Sequence, residues 1–183
     1  FLLWFYSTTF KKKLLTGNII IAALTAWVIV VVYFFCGADT KVWQHSNAPF
    51  QAKTFFKFMI LYAGFAFIVS IIREVVKDLE DMEGDARYHC RTMPIAWGVP
   101  STKVFTAVWL VVCIGSLLVV QLYAWQSGWW MVVAYSVLLI ILPLVIILNK
   151  LHKAALPADY HLLSSYVKFV MLAGILSMLF FIF

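Results

Sequence analysis

The chain has 183 residues, of which 64% are apolar and only 12% charged, and its formal net charge is +6. A water-soluble domain is nearer half apolar and a quarter charged, so this composition excludes an ordinary soluble globule and points to a membrane protein. The positive balance does not indicate nucleic acid, because that reading needs a soluble basic face and none is present.

In chain order, Phe1 to Tyr6 is an apolar fragment too short to span a bilayer. With no Met at its start, the chain is expected to begin inside a longer protein, and it lacks the charged region, short apolar core and cleavage site of a signal peptide. Crossing a hydrocarbon core of about 30 Å takes about 20 apolar residues. The stretches from Gly17 to Gly37, Thr54 to Arg73, Val104 to Trp125, Trp129 to Leu148 and Leu162 to Phe183 meet that need. Continuous apolarity of this length excludes the alternation of barrel strands. No linker, low-complexity tract or repeat divides the chain. The expected fold is all-α, a polytopic transmembrane helical bundle forming a single domain over residues 1–183. Cys36, Cys90 and Cys113 show no metal-ligand or disulfide spacing and read as two small hydrophobes and a loop thiol.

The loops of a five-span chain alternate between two faces. Lys11 to Lys13, the long segment from Arg73 to Lys103, and Lys150 with Lys153 share one face, while Asp39 to Lys53 and the Gln126 to Gly128 turn share the other. With Lys168 assigned to the nearer end of its span, all but Lys41, Lys53 and Lys57 of the 14 Lys and Arg residues fall on the first face. The positive-inside bias places that face in the cytoplasm. Trp4, Trp43, Trp97, Trp125, Trp129 and Trp130 cluster at span ends, as interfacial anchors do. Lys57 and Lys168 are each read as lying near an end of a span, where a long side chain can snorkel. Pro143 falls inside the fourth span and should kink it.

All of the 8 acidic residues except Asp39 and Asp159 lie between Glu74 and Asp85, directly after the second span. At 100° per residue Glu74, Asp78, Asp81 and Asp85 fall within an arc of roughly 60°, whereas Glu80 and Glu83 point away. Carboxylates stacked on one face repel one another unless something positive sits between them. Hard oxygen ligands that leave positions to water and phosphate suit magnesium, which bridges carboxylates to diphosphate oxygens. Such a site could neutralise the charge developing on a diphosphate leaving group as an allylic prenyl diphosphate ionises, with no nucleophilic side chain required. The alternative on spacing alone is a solvated acidic helix end balanced by Arg73, Lys77, Arg87 and Arg91.

The run Arg73-Glu74-Val-Val-Lys77-Asp78-Leu-Glu80-Asp81-Met-Glu83-Gly84-Asp85, followed by Arg91-Thr92-Met93-Pro94-Ile95 and Gly98, resembles the second aspartate-rich motif of the UbiA superfamily of membrane prenyltransferases. Among its branches it is most similar to that of digeranylgeranylglyceryl phosphate synthase. A second match, Tyr6-Ser7, Lys11-Lys12 and Gly17-Asn18, resembles the loop before that family's fifth helix. The resemblance implies a UbiA-type bundle of nine helices around a central cavity, of which about five complete spans are present here. It implies Asp78, Asp81 and Asp85 as magnesium-diphosphate ligands and as the catalytic set. It also implies that Lys11, Lys12 and Arg91 contact diphosphate oxygens, although topological charge accounts for the lysines equally well. The expected cofactor is Mg2+ and the expected partners are a prenyl diphosphate donor, a lipophilic acceptor and membrane lipids. Geranylgeranylglyceryl phosphate and quinone-type rings are both acceptors within the family. The family's first motif, Asn-Asp-x-x-Asp-x-x-x-Asp, has no counterpart in this sequence, so this stretch by itself is expected to be inactive.

Two other readings compete with the enzyme. A non-catalytic membrane subunit would keep the fold without the first motif, and a cation transporter would use the acidic cluster but should carry it at mid-membrane in a broken helix. His89, His152 and His161 read as solvated loop residues rather than as general bases.

Overall fold

The computed structural model describes residues 15–38 and 48–181, with side chains described for residues 15–35 and 55–180. Lys11, Lys12, the Tyr6-Ser7 pair, Trp4 and Trp43 lie outside the described residues. Helices are α1 (Thr16–Ala38), α2 (Ala48–Glu80), α3 (Met82–Arg87), α4 (Met93–Trp97), α5 (Val99–Gln126), α6 (Trp130–Ser136), α7 (Leu142–Lys153) and α8 (Pro157–Leu176). No strand occurs among the described residues. Five runs are long and apolar enough to cross a membrane: Thr16–Phe35, Phe55–Glu80, Val99–Gln126, Trp130–Lys153 and Pro157–Phe180. The chain is an all-helical integral membrane protein, as its composition requires.

The helices outrun the apolar stretches that announce them, because backbone hydrogen bonding does not stop where apolarity does. α2 continues from the span to Glu80, and α5 begins at Val99. The segment from Arg73 to Lys103, expected as a long connection between spans, is largely helical, with α3 and α4 joined by short turns.

Proline supplies much of the punctuation. Pro94, Pro100, Pro143 and Pro157 each sit in the first two positions of a helix, where the missing N–H has no intrahelical partner to lose. α4 passes to α5 through Gly98 alone, at φ 83° and ψ 159°, a conformation open to glycine and strained for any residue with a Cβ. Pro143 does not merely kink the fourth span. The residues before it, Val137–Ile141, widen into a π-helical turn in which the Leu142 N–H donates to the Val137 carbonyl. A π turn moves the hydrogen-bond ladder by one residue, which gives the proline ring room and re-pairs backbone that a plain break would leave bare.

α2 is the centre of the bundle, packing against α1, α5 and α8. One of its faces enters a core with α5, α7 and α8 through Val69, Ile72, Val76 and Leu79; the opposite face meets α1 and α4 through Ile71 and Val75 against Ala22 and Met93. Between helices in a bilayer, close packing and hydrogen bonds replace the hydrophobic effect, since lipid tails are as apolar as leucine. Gly174 of α8 meets this demand: a Cβ there would stand 2.5 Å from Cε1 of Phe65 on α2. The turn between α7 and α8 is also tied down. Lys103 and the Tyr160 hydroxyl both donate to the Ala154 carbonyl, and the Asp159 carboxylate accepts the N–H groups of Ala155 and Leu156 at 3.0 Å each. Trp97, Trp125, Trp129 and Trp130 are exposed at helix ends, with Trp125 and Trp130 edge to face at 4.1 Å. Cys90 is a loop thiol, on the turn after α3, and is buried, as is Cys113.

Candidate functional site

The acidic ladder begins where α2 ends. Glu74 and Asp78 lie on α2, Asp81 occupies the junction with φ −89° and ψ 5°, and Asp85 lies on α3. Hydrogen bonds from Asp81 N to the Lys77 carbonyl and from Asp85 N to the Asp81 carbonyl, both 2.9 Å, carry helical spacing across the junction. The ladder therefore keeps one face despite the break. Asp78 lies within electrostatic reach of Asp85, Glu74 and Asp81.

Each carboxylate has different company. Glu74 pairs with Arg73, and Lys77 Nζ stands 3.6 Å from Asp81. Asp78, half-buried, has no cation paired with it among the described residues; its Oδ2 accepts a hydrogen bond of 2.8 Å from Nδ2 of Asn18 on α1. Glu80 points off the ladder, as its helical angle requires, and meets Nδ1 of His161 at 2.7 Å. His161 is thus not a loop residue: it lies in α8 and bridges to α2. Arg91 is exposed on the turn after α3, and no ion pair joins it to the ladder among the described residues.

The donor chemistry suits a hard divalent cation, but the described side chains do not close a cage: no three His, Cys, Asp or Glu side chains among them are gathered for one ion. At a rise of about 1.5 Å per residue, Asp78 and Asp85 stand about 10 Å apart along the axis. Magnesium does not require a protein cage, since it commonly takes one or two carboxylates and leaves its other positions to water and phosphate. On that criterion the ladder fits the ion.

Three polar residues near or within the bundle escaped the sequence-based site. Asn18 was legible only as part of a motif, although a primary amide in the first turn of an apolar span is a signal in itself, because such groups face protein rather than lipid. Thr92 Oγ1, beside Arg91, and Ser70 Oγ, two turns into α2 from Asp78, are buried without a hydrogen-bond partner. Lys168 does not lie near an end: it occupies the middle of the Pro157–Phe180 span, seven residues on from His161 and exposed. That face of α8 is turned away from the core, which the helix enters through Leu163, Val167 and Val170.

A sequence profile described as the UbiA prenyltransferase family matches residues 1–181. A digeranylgeranylglyceryl phosphate synthase of Methanosphaera stadtmanae is 24% identical over 94% of this chain and 56% of its own length. Proteins of the same description from Methanobrevibacter smithii and Thermococcus sibiricus are 27% identical over 84% of this chain and 50% of theirs, and 32% identical over 56% of this chain and 30% of theirs. The chain thus spans about half the length of these relatives or less. No solved structure matches it.

Proposed function

Because the chain belongs to the UbiA prenyltransferase family, we propose that the protein is an intramembrane prenyltransferase that moves an isoprenyl group from a prenyl diphosphate to a lipophilic acceptor. Residues 1–183 act as one transmembrane unit, with the acidic ladder on the cytoplasmic face. The relatives' description as synthases of digeranylgeranylglyceryl phosphate favours a prenylated glycerophosphate acceptor over a quinone-type ring.

The observation that carries this reading is the ladder itself: carboxylates on one face of a helix leaving the bilayer, with Asp78 fixed by an uncharged donor. Asp78, Asp81 and Asp85 would hold Mg2+, which when bound supplies Lewis-acid neutralisation of a diphosphate leaving group. Asn18 orients the Asp78 carboxylate without bringing a positive charge against it. Lys11, Lys12 and Arg91 would take the diphosphate oxygens directly, compact point charges in the lysines and a forked donor in the arginine. In the transfer, the bond between the allylic carbon and the diphosphate oxygen breaks, the acceptor oxygen bonds that carbon, and the acceptor's proton leaves to solvent. The apolar faces of the spans receive the isoprenoid tail while the ladder keeps the charged end at the membrane edge.

The test uses full-length protein in lipid nanodiscs with prenyl diphosphates of several chain lengths, measuring diphosphate release and prenylated product with and without magnesium. Magnesium-dependent release is expected, with a loss on the order of 100-fold or more in Asp78→Ala. No magnesium-dependent release with any donor, or undiminished turnover in Asp78→Ala, would overturn the reading.

A further inference from the structure

Asn18 stands in the first turn of α1, in a span that is otherwise nearly all apolar, and only 8% of its surface is exposed. Burying a primary amide without partners is costly, so its environment must satisfy it. The partner is on another helix: Nδ2 donates to Asp78 Oδ2 at 2.8 Å across 60 residues of sequence.

The electrostatic contrast along the ladder gives this bond its meaning. Glu74 and Asp81 are held by cations, Arg73 and Lys77, which partly cancel the charge they orient. Asp78 is held by a neutral amide, which fixes one oxygen and the plane of the carboxylate without setting a positive charge against it.

We propose that Asn18 is a positioning residue for Asp78, orienting its carboxylate for a divalent cation and a diphosphate through the Nδ2 to Oδ2 hydrogen bond between α1 and α2. The proposal rests on the prenyltransferase reading of the same site. A bond that only tied α1 to α2 would affect folding and leave cation affinity unchanged. A positioning bond affects cation affinity in protein that is still folded. Loss of a hydrogen-bonding partner behind a ligating group typically weakens metal affinity about 10- to 100-fold.

The experiment measures Mn2+ binding to full-length protein by electron paramagnetic resonance, with and without inorganic diphosphate, in wild type, Asn18→Leu, Asn18→Gln, Asp78→Ala and the Asn18→Leu/Asp78→Ala double variant. Leucine keeps the volume and removes the donor; glutamine keeps the donor but displaces it by about 1.5 Å, one carbon–carbon bond. The expected result is a 10- to 100-fold weaker Mn2+ affinity in Asn18→Leu, a smaller loss in Asn18→Gln, and no further loss when Asn18→Leu is added to Asp78→Ala. Should Asn18→Leu fail to fold, Asn18→Gln carries the test, and wild-type affinity in it counts against the proposal. Wild-type affinity in folded Asn18→Leu overturns the positioning role and leaves the prenyltransferase reading standing. Absence of Mn2+ and diphosphate binding in the wild type overturns both.

Discussion

Replacing Gly174 by alanine tests the packing that sets α8 against α2. The added methyl would stand 2.5 Å from Phe65 Cε1, 3.3 Å from Cζ and 3.4 Å from Cδ1. Carbon atoms in good contact sit about 3.5–4.0 Å apart, so the ring or the helix must give by about 1 Å. Phe65 is partly buried against the core shared by α2, α5, α7 and α8, so moving its ring disturbs that packing. Overpacking of this kind costs about 1–3 kcal/mol, while alanine's helix preference over glycine returns about 1 kcal/mol. The comparison that isolates the clash is Gly115→Ala in the middle of α5, where a Cβ meets nothing within 4 Å and the propensity gain is the same. Reversible unfolding of the full-length protein by SDS titration in mixed micelles should show Gly174→Ala less stable than Gly115→Ala by about 1–3 kcal/mol. Phe65→Leu added to Gly174→Ala should recover part of that difference, since neighbouring sites are not additive. Equal stability of the two glycine variants would refute the close approach of α8 to α2.

Thr92 is buried with its hydroxyl unpaired and makes no side-chain capping bond to α4. Thr92→Val removes that hydroxyl at nearly constant shape, so stability should hold or rise by up to about 1 kcal/mol; a loss larger than that in the same titration means that the hydroxyl has a partner. The sidedness of the bundle can be read by labelling single cysteines with a membrane-impermeant maleimide. Arg87→Cys and Lys153→Cys should react from the cytoplasmic side and Ser127→Cys from the opposite side, and labelling of Arg87→Cys and Ser127→Cys from one side would break the topology.

The five spans were legible because roughly 20 apolar residues in a row have few other uses. Their ends were not, because the helices run on into polar sequence: Ala48–Glu80 and Pro157–Leu176 both begin several residues before the apolar stretch does. The one-sided ladder was legible from helical angle alone, yet the break at Asp81, which places Asp85 on its own short helix, was not. Pro143 was visible as a disturbance, but its resolution as a π turn depends on how neighbouring helices pack. Partners such as Asn18 for Asp78 and His161 for Glu80 are products of tertiary structure, and no pattern within either segment encodes them. The roles of Lys11 and Lys12 still rest on the motif they match.

α2 runs for 33 residues, about 50 Å at 1.5 Å per residue, against a hydrocarbon core of about 30 Å. Glu74 and Asp78 are thus carried on a stiff rod rather than on a loop, and their height above the lipid is fixed by the length of a covalent helix. A thicker or thinner bilayer would not reshape the carboxylates; it would lower or raise them against the plane of the lipid headgroups, at a cost of fractions of a kcal/mol per ångström of mismatch. Membrane thickness thereby becomes a setting for how far Asp78 stands from the aqueous side of the headgroups.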